Sequence, residues 1–145
     1  MSLIERLASA IACQEGWFDP LQDGKPNIPQ LLNNPGDLVF DGQTGAIEGK
    51  TAAGEMTEAI FHDTGPDFAQ WPTPQAGIVG LYRDLLAKIA HGMTLRQLIE
   101  VWAPPEENNT DQYLKNVQEW TGIHVPDVPL LTLVEPLEDP RQKGK

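Results

Sequence analysis

A single cysteine, Cys13, stands among 145 residues, so the chain cannot close an internal disulfide and its fold does not depend on an oxidising compartment. With one thiol and three scattered histidines, His62, His91 and His124, there is no metal-ligating cluster at a recognisable spacing, and neither metal nor cofactor is expected. Basic residues are scarce: 10 Lys and Arg against 21 Asp and Glu leave a net charge of −11. A surface of that sign repels phosphates, which argues against a nucleic-acid partner and against non-specific adhesion to an anionic polymer. No window approaches the roughly 18 apolar residues of a membrane span. The first residues, MSLIERLASAIACQEG, do not read as a secretion signal, because Glu5 and Arg6 break the apolar run into an amphipathic pattern. The chain is expected to be cytoplasmic as synthesised and to need other means to act elsewhere.

What is present is an ordinary globular composition, 40% hydrophobic and 7% aromatic. The length suits one domain that buries about 68–70% of its unfolded surface. Ser2 and Glu5 form a capping box, and Leu3, Ile4, Leu7, Ala8 and Ile11 follow at helical spacing until Gly16 ends the helix. Pro29 opens a short helix with Ile28, Leu31 and Leu32, and Asn33-Asn34-Pro35-Gly36 is a turn by chemistry. Residues 37–40 and 44–47 read as short strands joined at Asp41-Gly42 into a hairpin. Met56, Ala59 and Ile60 suit a helical turn or a short strand.

Thr73-Pro74 starts a central helix carrying Ile78, Leu81, Tyr82, Leu85, Leu86 and Ile89, closed by Gly92. Thr94 and Gln97 cap another, which buries Leu95, Leu98 and Ile99 and stops at Pro104-Pro105. Asn109 or Thr110 caps a last helix, with Tyr113, Val117 and Trp120 as its expected apolar stripe and Gly122 as its end. Prolines 126, 129, 136 and 140 then mark a change of character. The expected architecture is mainly α (α+β), a helical core with a small irregular β-hairpin lobe over residues 1–125. Residues 126–145 form a Pro-rich extended tail, which either wraps the domain through Leu130, Leu131 and Leu133 or serves as a linker.

Glu15 is the residue that invites a chemical reading. It continues the buried stripe of helix one four residues after Ile11, at the negative end of the helix dipole. Burial and the dipole both raise a carboxyl pKa, which suits a proton donor near neutral pH. A solvated Glu at a helix end is the plain alternative. Trp17 and Phe18 are either core or walls that keep water from Glu15, and Trp102 is either core or a sugar-stacking platform.

Several motifs in order resemble those of the lysozyme-like superfamily, especially its phage-type lytic enzymes and virion proteins. They are QEG (14–16), NNPGD (33–37), FAQW (68–71) with PQAGI (74–78), WAPPEENNTDQY (102–113) and TGI (121–123), over about residues 5–123. The resemblance implies a lysozyme-like fold, with Glu15 as the catalytic acid and Tyr113 near both the sugar and the acid. Asn33 and Asn34 could hold N-acetyl groups, with structural turn residues as the alternative, and Asp37, Trp17 and Trp102 complete the candidate substrate-binding set. The turn departs from the more usual NNPGN by Asp37. For a second carboxylate, Asp37, Asp41, Glu48 and Glu55 are all candidates and none stands out by sequence.

The implied activity is cleavage of peptidoglycan between N-acetylmuramic acid and N-acetylglucosamine by a monomer. The enzyme would be a muramidase with two carboxylates or a lytic transglycosylase with one. The lack of a distinguished second acid favours the one-acid route. Delivery to the wall would come from a phage particle, lysis or a secretion system. Two other readings are a non-catalytic lysozyme-like glycan-binding or virion structural protein, which the acidic surface favours, and an enzyme on chitin oligomers.

Overall fold

The computed structural model describes residues 1–19, 24, 26–49, 68–105 and 109–134. The protein is mainly helical. Its helices are α1 (Leu3–Gln14), α2 (Ile28–Leu31), α3 (Pro74–Ala90), α4 (Leu95–Trp102) and α5 (Thr110–Thr121). Two short strands, β1 (Ile47–Glu48) and β2 (Ala69–Gln70), form an antiparallel sheet with Ile47 opposite Gln70 and Glu48 opposite Ala69. No helix among the described residues is long and apolar enough to cross a membrane.

The helices begin where side chains can take their first backbone N–H groups. Capping boxes close α1 (Ser2 with Glu5) and α4 (Thr94 with Gln97), Thr73 accepts from the Ala76 N–H, and Asn109 accepts from the Gln112 N–H. A further box was not foreseen. Asn27 and Gln30 cap α2, so Pro29 lies inside that helix rather than opening it.

The core forms where α1 packs on α3 and α5, and α4 packs on α5. Leu7, Ile11, Leu85, Leu98, Ile99 and Val117 are fully enclosed there. Burial of each such side chain contributes about 1.5–3 kcal/mol. Two stripes differ from expectation. On α5 the buried residues are Leu114, Val117 and Thr121, and Trp120 is 54% exposed. The face turned to α1 runs through Leu114, which leaves Tyr113 half-buried at its edge. On α3 the outer side carries Leu86, which is exposed.

The hairpin expected between 37–40 and 44–47 does not form. Both segments reach the stretch 68–70 instead: Val39 bridges to Phe68, the Ala69 N–H donates to the Leu38 carbonyl at 2.8 Å, and β1 pairs with β2. Gly42, between the two segments, and Gly45, inside the second, take positive φ (69° and 78°), so the backbone there is not extended. The Gln43 side chain, not a cross-strand ladder, closes the turn by accepting from the Asp41 N–H and donating to the Val39 carbonyl. Met56, Ala59 and Ile60 lie outside the described residues.

Residues 126–134 fold back on the helices. The Arg96 N–H donates to the Pro126 carbonyl, the Leu130 N–H donates to the Met93 carbonyl, and Leu130 is fully buried. Leu133 packs on the same core, whereas Leu131 is exposed.

Two glycines of α3 bring this helix against the turn that follows α2 and against the Trp71 ring. A Cβ at Gly77 would collide with the Asn33 carbonyl, and one at Gly80 would collide with the Trp71 ring. Trp71 belongs to a second small core with Leu38 and Ala69, and Trp102 touches both cores.

Candidate active site

Glu15 is the C-cap of α1, its N–H donating to the Ile11 carbonyl at 2.9 Å. Gly16, at φ 84°, turns the chain away. The loop beyond is tied down by α2: Asn27 Nδ2 donates to the carbonyls of Gly16 (2.6 Å) and Asp19 (2.7 Å), and Gln30 Nε2 donates to that of Trp17 (3.0 Å). These amides fix the backbone on which Glu15 stands. From α5 the Tyr113 hydroxyl donates to Glu15 Oε2 at 2.9 Å. Nearby, Asn116 Nδ2 donates to Gln14 Oε1 at 3.1 Å, a second tie between α5 and the end of α1.

Burial pushes the Glu15 carboxyl from its ordinary 4.5 up to about 7. The Tyr113 hydrogen bond opposes that rise, because it stabilises the ionised form, and the like charge of Asp37 adds to it. The Tyr113 hydroxyl is itself driven well above its ordinary range, by burial first and then by the charge of Glu15. It therefore remains a hydrogen-bond donor throughout the neutral range.

Asp37 arrives on the Asn-Asn-Pro-Gly turn. Asn34 is fully buried, and its amide donates to the carbonyls of Leu38 and Ala69 and accepts from the Leu38 N–H, all at 2.9 Å. Asn33 Nδ2 donates to the Trp71 carbonyl at 3.0 Å. Trp102 Nε1 donates to the Gly36 carbonyl at 2.8 Å, across 66 residues of chain. So held, Asn33 and Asp37 both take positive φ (52° and 50°), which non-glycine residues adopt at a cost of about 1 kcal/mol or more. Burial raises the Asp37 carboxyl to about 6, and its Oδ1 is buried without a hydrogen-bond partner.

Glu15 and Asp37 face one cleft of about 700 Å³. Asp41, Gln43, Asp84 and Lys88 add polar groups to its walls, and Phe40, Phe68 and Trp102 supply aromatic surface. The site residues predicted from the sequence divide as follows. Glu15, Asp37 and Trp102 line the cleft, and Tyr113 reaches it through Glu15. Asn33 and Asn34 are corrected to turn-holding residues, because their amides are committed to the backbone and Asn34 has no exposed surface. Trp17 is not among the cleft's lining residues. Trp102 packs on both cores and also lines the cleft, its indole N–H held by the Gly36 carbonyl.

Of the four second-carboxylate candidates, Asp37 and Asp41 line the cleft, and Asp37 is the one whose charge acts on Glu15. Glu48 sits on exposed β1, and Glu55 lies outside the described residues. Sequence reasoning missed Asp84 and Lys88, whose only signal was an i, i+4 acid–base pair of the kind most surface helices carry. It also missed Asn27, whose signal was the N-x-x-Q box.

No group of three or more metal-ligating side chains occurs among the described residues. No protein-family model, no curated protein and no solved structure matches this chain.

Proposed function

We propose that this cleft cleaves the glycan strand of peptidoglycan between N-acetylmuramic acid and N-acetylglucosamine, with Glu15 as the general acid. The observation that carries the reading is two half-buried carboxylates, Glu15 and Asp37, on one open cleft, with the Tyr113 hydroxyl donating to Glu15 Oε2. Burial raises both carboxyls, Glu15 the further of the two, which favours Glu15 as the proton donor and Asp37 as the base, the division of labour that glycoside hydrolysis needs. The order of motifs from QEG to TGI, with its lysozyme-like resemblance, supplies the substrate class.

In this scheme Glu15 gives its proton to the glycosidic oxygen as the bond from the muramic acid C1 breaks. Asp37 takes a proton from a water that attacks C1, and the product carries a new reducing end. Tyr113 keeps Glu15 oriented towards the sugar. Asp37 on the same cleft as Glu15 supports this two-carboxylate route over a one-carboxylate one. In that route Glu15 would next accept the proton of the sugar's own 6-hydroxyl and leave a 1,6-anhydro end.

The test is release of soluble muropeptides from purified peptidoglycan. Glu15→Gln should fold as wild type and lose at least about 100-fold in rate, the lower range for a general acid. Equal rates in the two proteins would remove Glu15 from the chemistry. Glycan binding without release by the wild type would mark a binding module instead.

A further inference from the structure

Asp84 and Lys88 lie one turn apart on α3 and both face the cleft that holds Glu15 and Asp37. Lys88 Nζ is 2.6 Å from each Asp84 carboxylate oxygen. The same ammonium sits 5.2 Å from the centre of the Trp102 ring. Each side chain keeps just over a fifth of its surface open to solvent (22% for Lys88, 23% for Asp84). An ordinary i, i+4 pair on a solvated helix face gains little from such tight geometry. Here the pair is recessed, chelated and laid against an aromatic wall, so its atoms are ordered before any ligand arrives.

Lys88 is the sole basic side chain among the described lining residues, which include four acids: Glu15, Asp37, Asp41 and Asp84. Its charge is balanced by Asp84, so the cleft has no surplus cation with which to hold a carboxylate. The pair does offer a donor, the remaining ammonium N–H, beside the unused acceptor lone pairs of Asp84. That is the complement of a neutral ring bearing a hydroxyl next to an acetamido group. We infer that the Asp84–Lys88 pair is a binding subsite for an uncharged N-acetylhexosamine of the glycan strand, and that it does not read the carboxylates of the muramyl substituents. Asp84 accepts from a ring hydroxyl or the acetamido N–H, and Lys88 donates to a neighbouring oxygen. The inference rests on the reading of the cleft as a glycan site and adds which sugar chemistry one wall selects.

The test uses the full chain carrying Glu15→Gln, so that ligand is bound but not turned over, and a tetramer of N-acetylglucosamine as the neutral probe. Titration should shift the Lys88 ammonium and Trp102 indole resonances, and the dissociation constant should change less than about twofold between low and physiological salt. Adding Lys88→Met or Asp84→Asn should weaken binding about tenfold, the loss of one charge-assisted hydrogen bond. Lys88→Arg should retain most of the affinity. The same losses should appear with peptide-bearing strands.

Binding of the tetramer that leaves both resonances and both variants unchanged would overturn the subsite while the glycan reading stands. Losses confined to carboxylate-bearing strands, steep in salt, would show that Lys88 reads an anion and would overturn the neutral-sugar assignment. Failure of the Glu15→Gln protein to bind either glycan would remove the glycan reading and the subsite with it. The resonance shifts need no change at residues 84 or 88, so a variant that fails to fold does not block the test.

Discussion

At the scale of single residues, the account turns on two carboxyls whose burial works in opposite catalytic directions. Glu15 must be protonated to act, so activity falls as pH rises through about 7; Asp37 must be ionised, so activity falls as pH drops through about 6. The kcat/KM profile should therefore be a narrow bell. Tyr113→Phe removes the donor that lowers the Glu15 pKa, so the upper limb should move to higher pH while the maximum drops. An upper limb that stays or moves down in that variant would contradict the assignment of Tyr113 as the residue that orients Glu15.

The same burial has a stability cost with a definite sign. A carboxyl whose folded pKa is raised contributes stability that is complete below its ordinary value and is lost as pH rises through the folded value. For Glu15 that window runs from 4.5 to about 7. Glu15→Gln should thus be more stable than wild type by roughly 3 kcal/mol at about pH 8, and the gain should vanish below about pH 4. Denaturant melts at the two pH values measure this, and a variant that is less stable at the higher pH would show that Glu15 is not desolvated.

At the scale of elements, the decisive contact is α3 against the turn that carries Asp37. Gly77 lets the helix touch the Asn33 carbonyl, and the Asn34 and Trp102 hydrogen bonds secure the turn from its other sides. Gly77→Ala would improve an isolated helix by about 1 kcal/mol. Here its methyl must displace backbone, so the protein should instead lose about 2–3 kcal/mol and most of its activity. A stabilised, fully active Gly77→Ala protein, by thermal melt and turnover, would mean that this contact does not position the site.

Helix starts were legible because caps are local chemistry: Ser2, Thr73, Thr94 and Asn109 each needed only their next few neighbours. The pairing of 37–40 and 44–47 was not legible, because their partner at 68–70 lies more than twenty residues further on and the hairpin signal at Asp41-Gly42 was local. Glu15 was legible as the end of a buried stripe. Asp37 stood level with three other acids, since its approach to Glu15 depends on where α3, Trp102 and Asn34 hold the turn. Asp84 and Lys88 stayed hidden because only the packed structure turns that side of α3 into the cleft.

At the scale of the whole molecule, a net charge of −11 opposes an anionic wall. Glycan binding at the proposed site would work against that repulsion, which is screened as the Debye length falls from about 30 Å at about 0.01 M salt to about 8 Å at physiological strength. Binding of the Glu15→Gln protein to anionic sacculi, measured by sedimentation, should therefore strengthen over that range. Weakening would point to a basic surface that the described residues do not show.

The most direct test of the account is mass spectrometry of peptidoglycan digested in water labelled with heavy oxygen, by wild type and by Glu15→Gln. The account predicts muropeptides with a reducing end that carries the label from wild type, and no release from the variant. Anhydro ends without label would contradict the role of Asp37 and restore the one-carboxylate route. Release by Glu15→Gln at the wild-type rate, or none by the folded wild type, would contradict the central claim that Glu15 cleaves the strand.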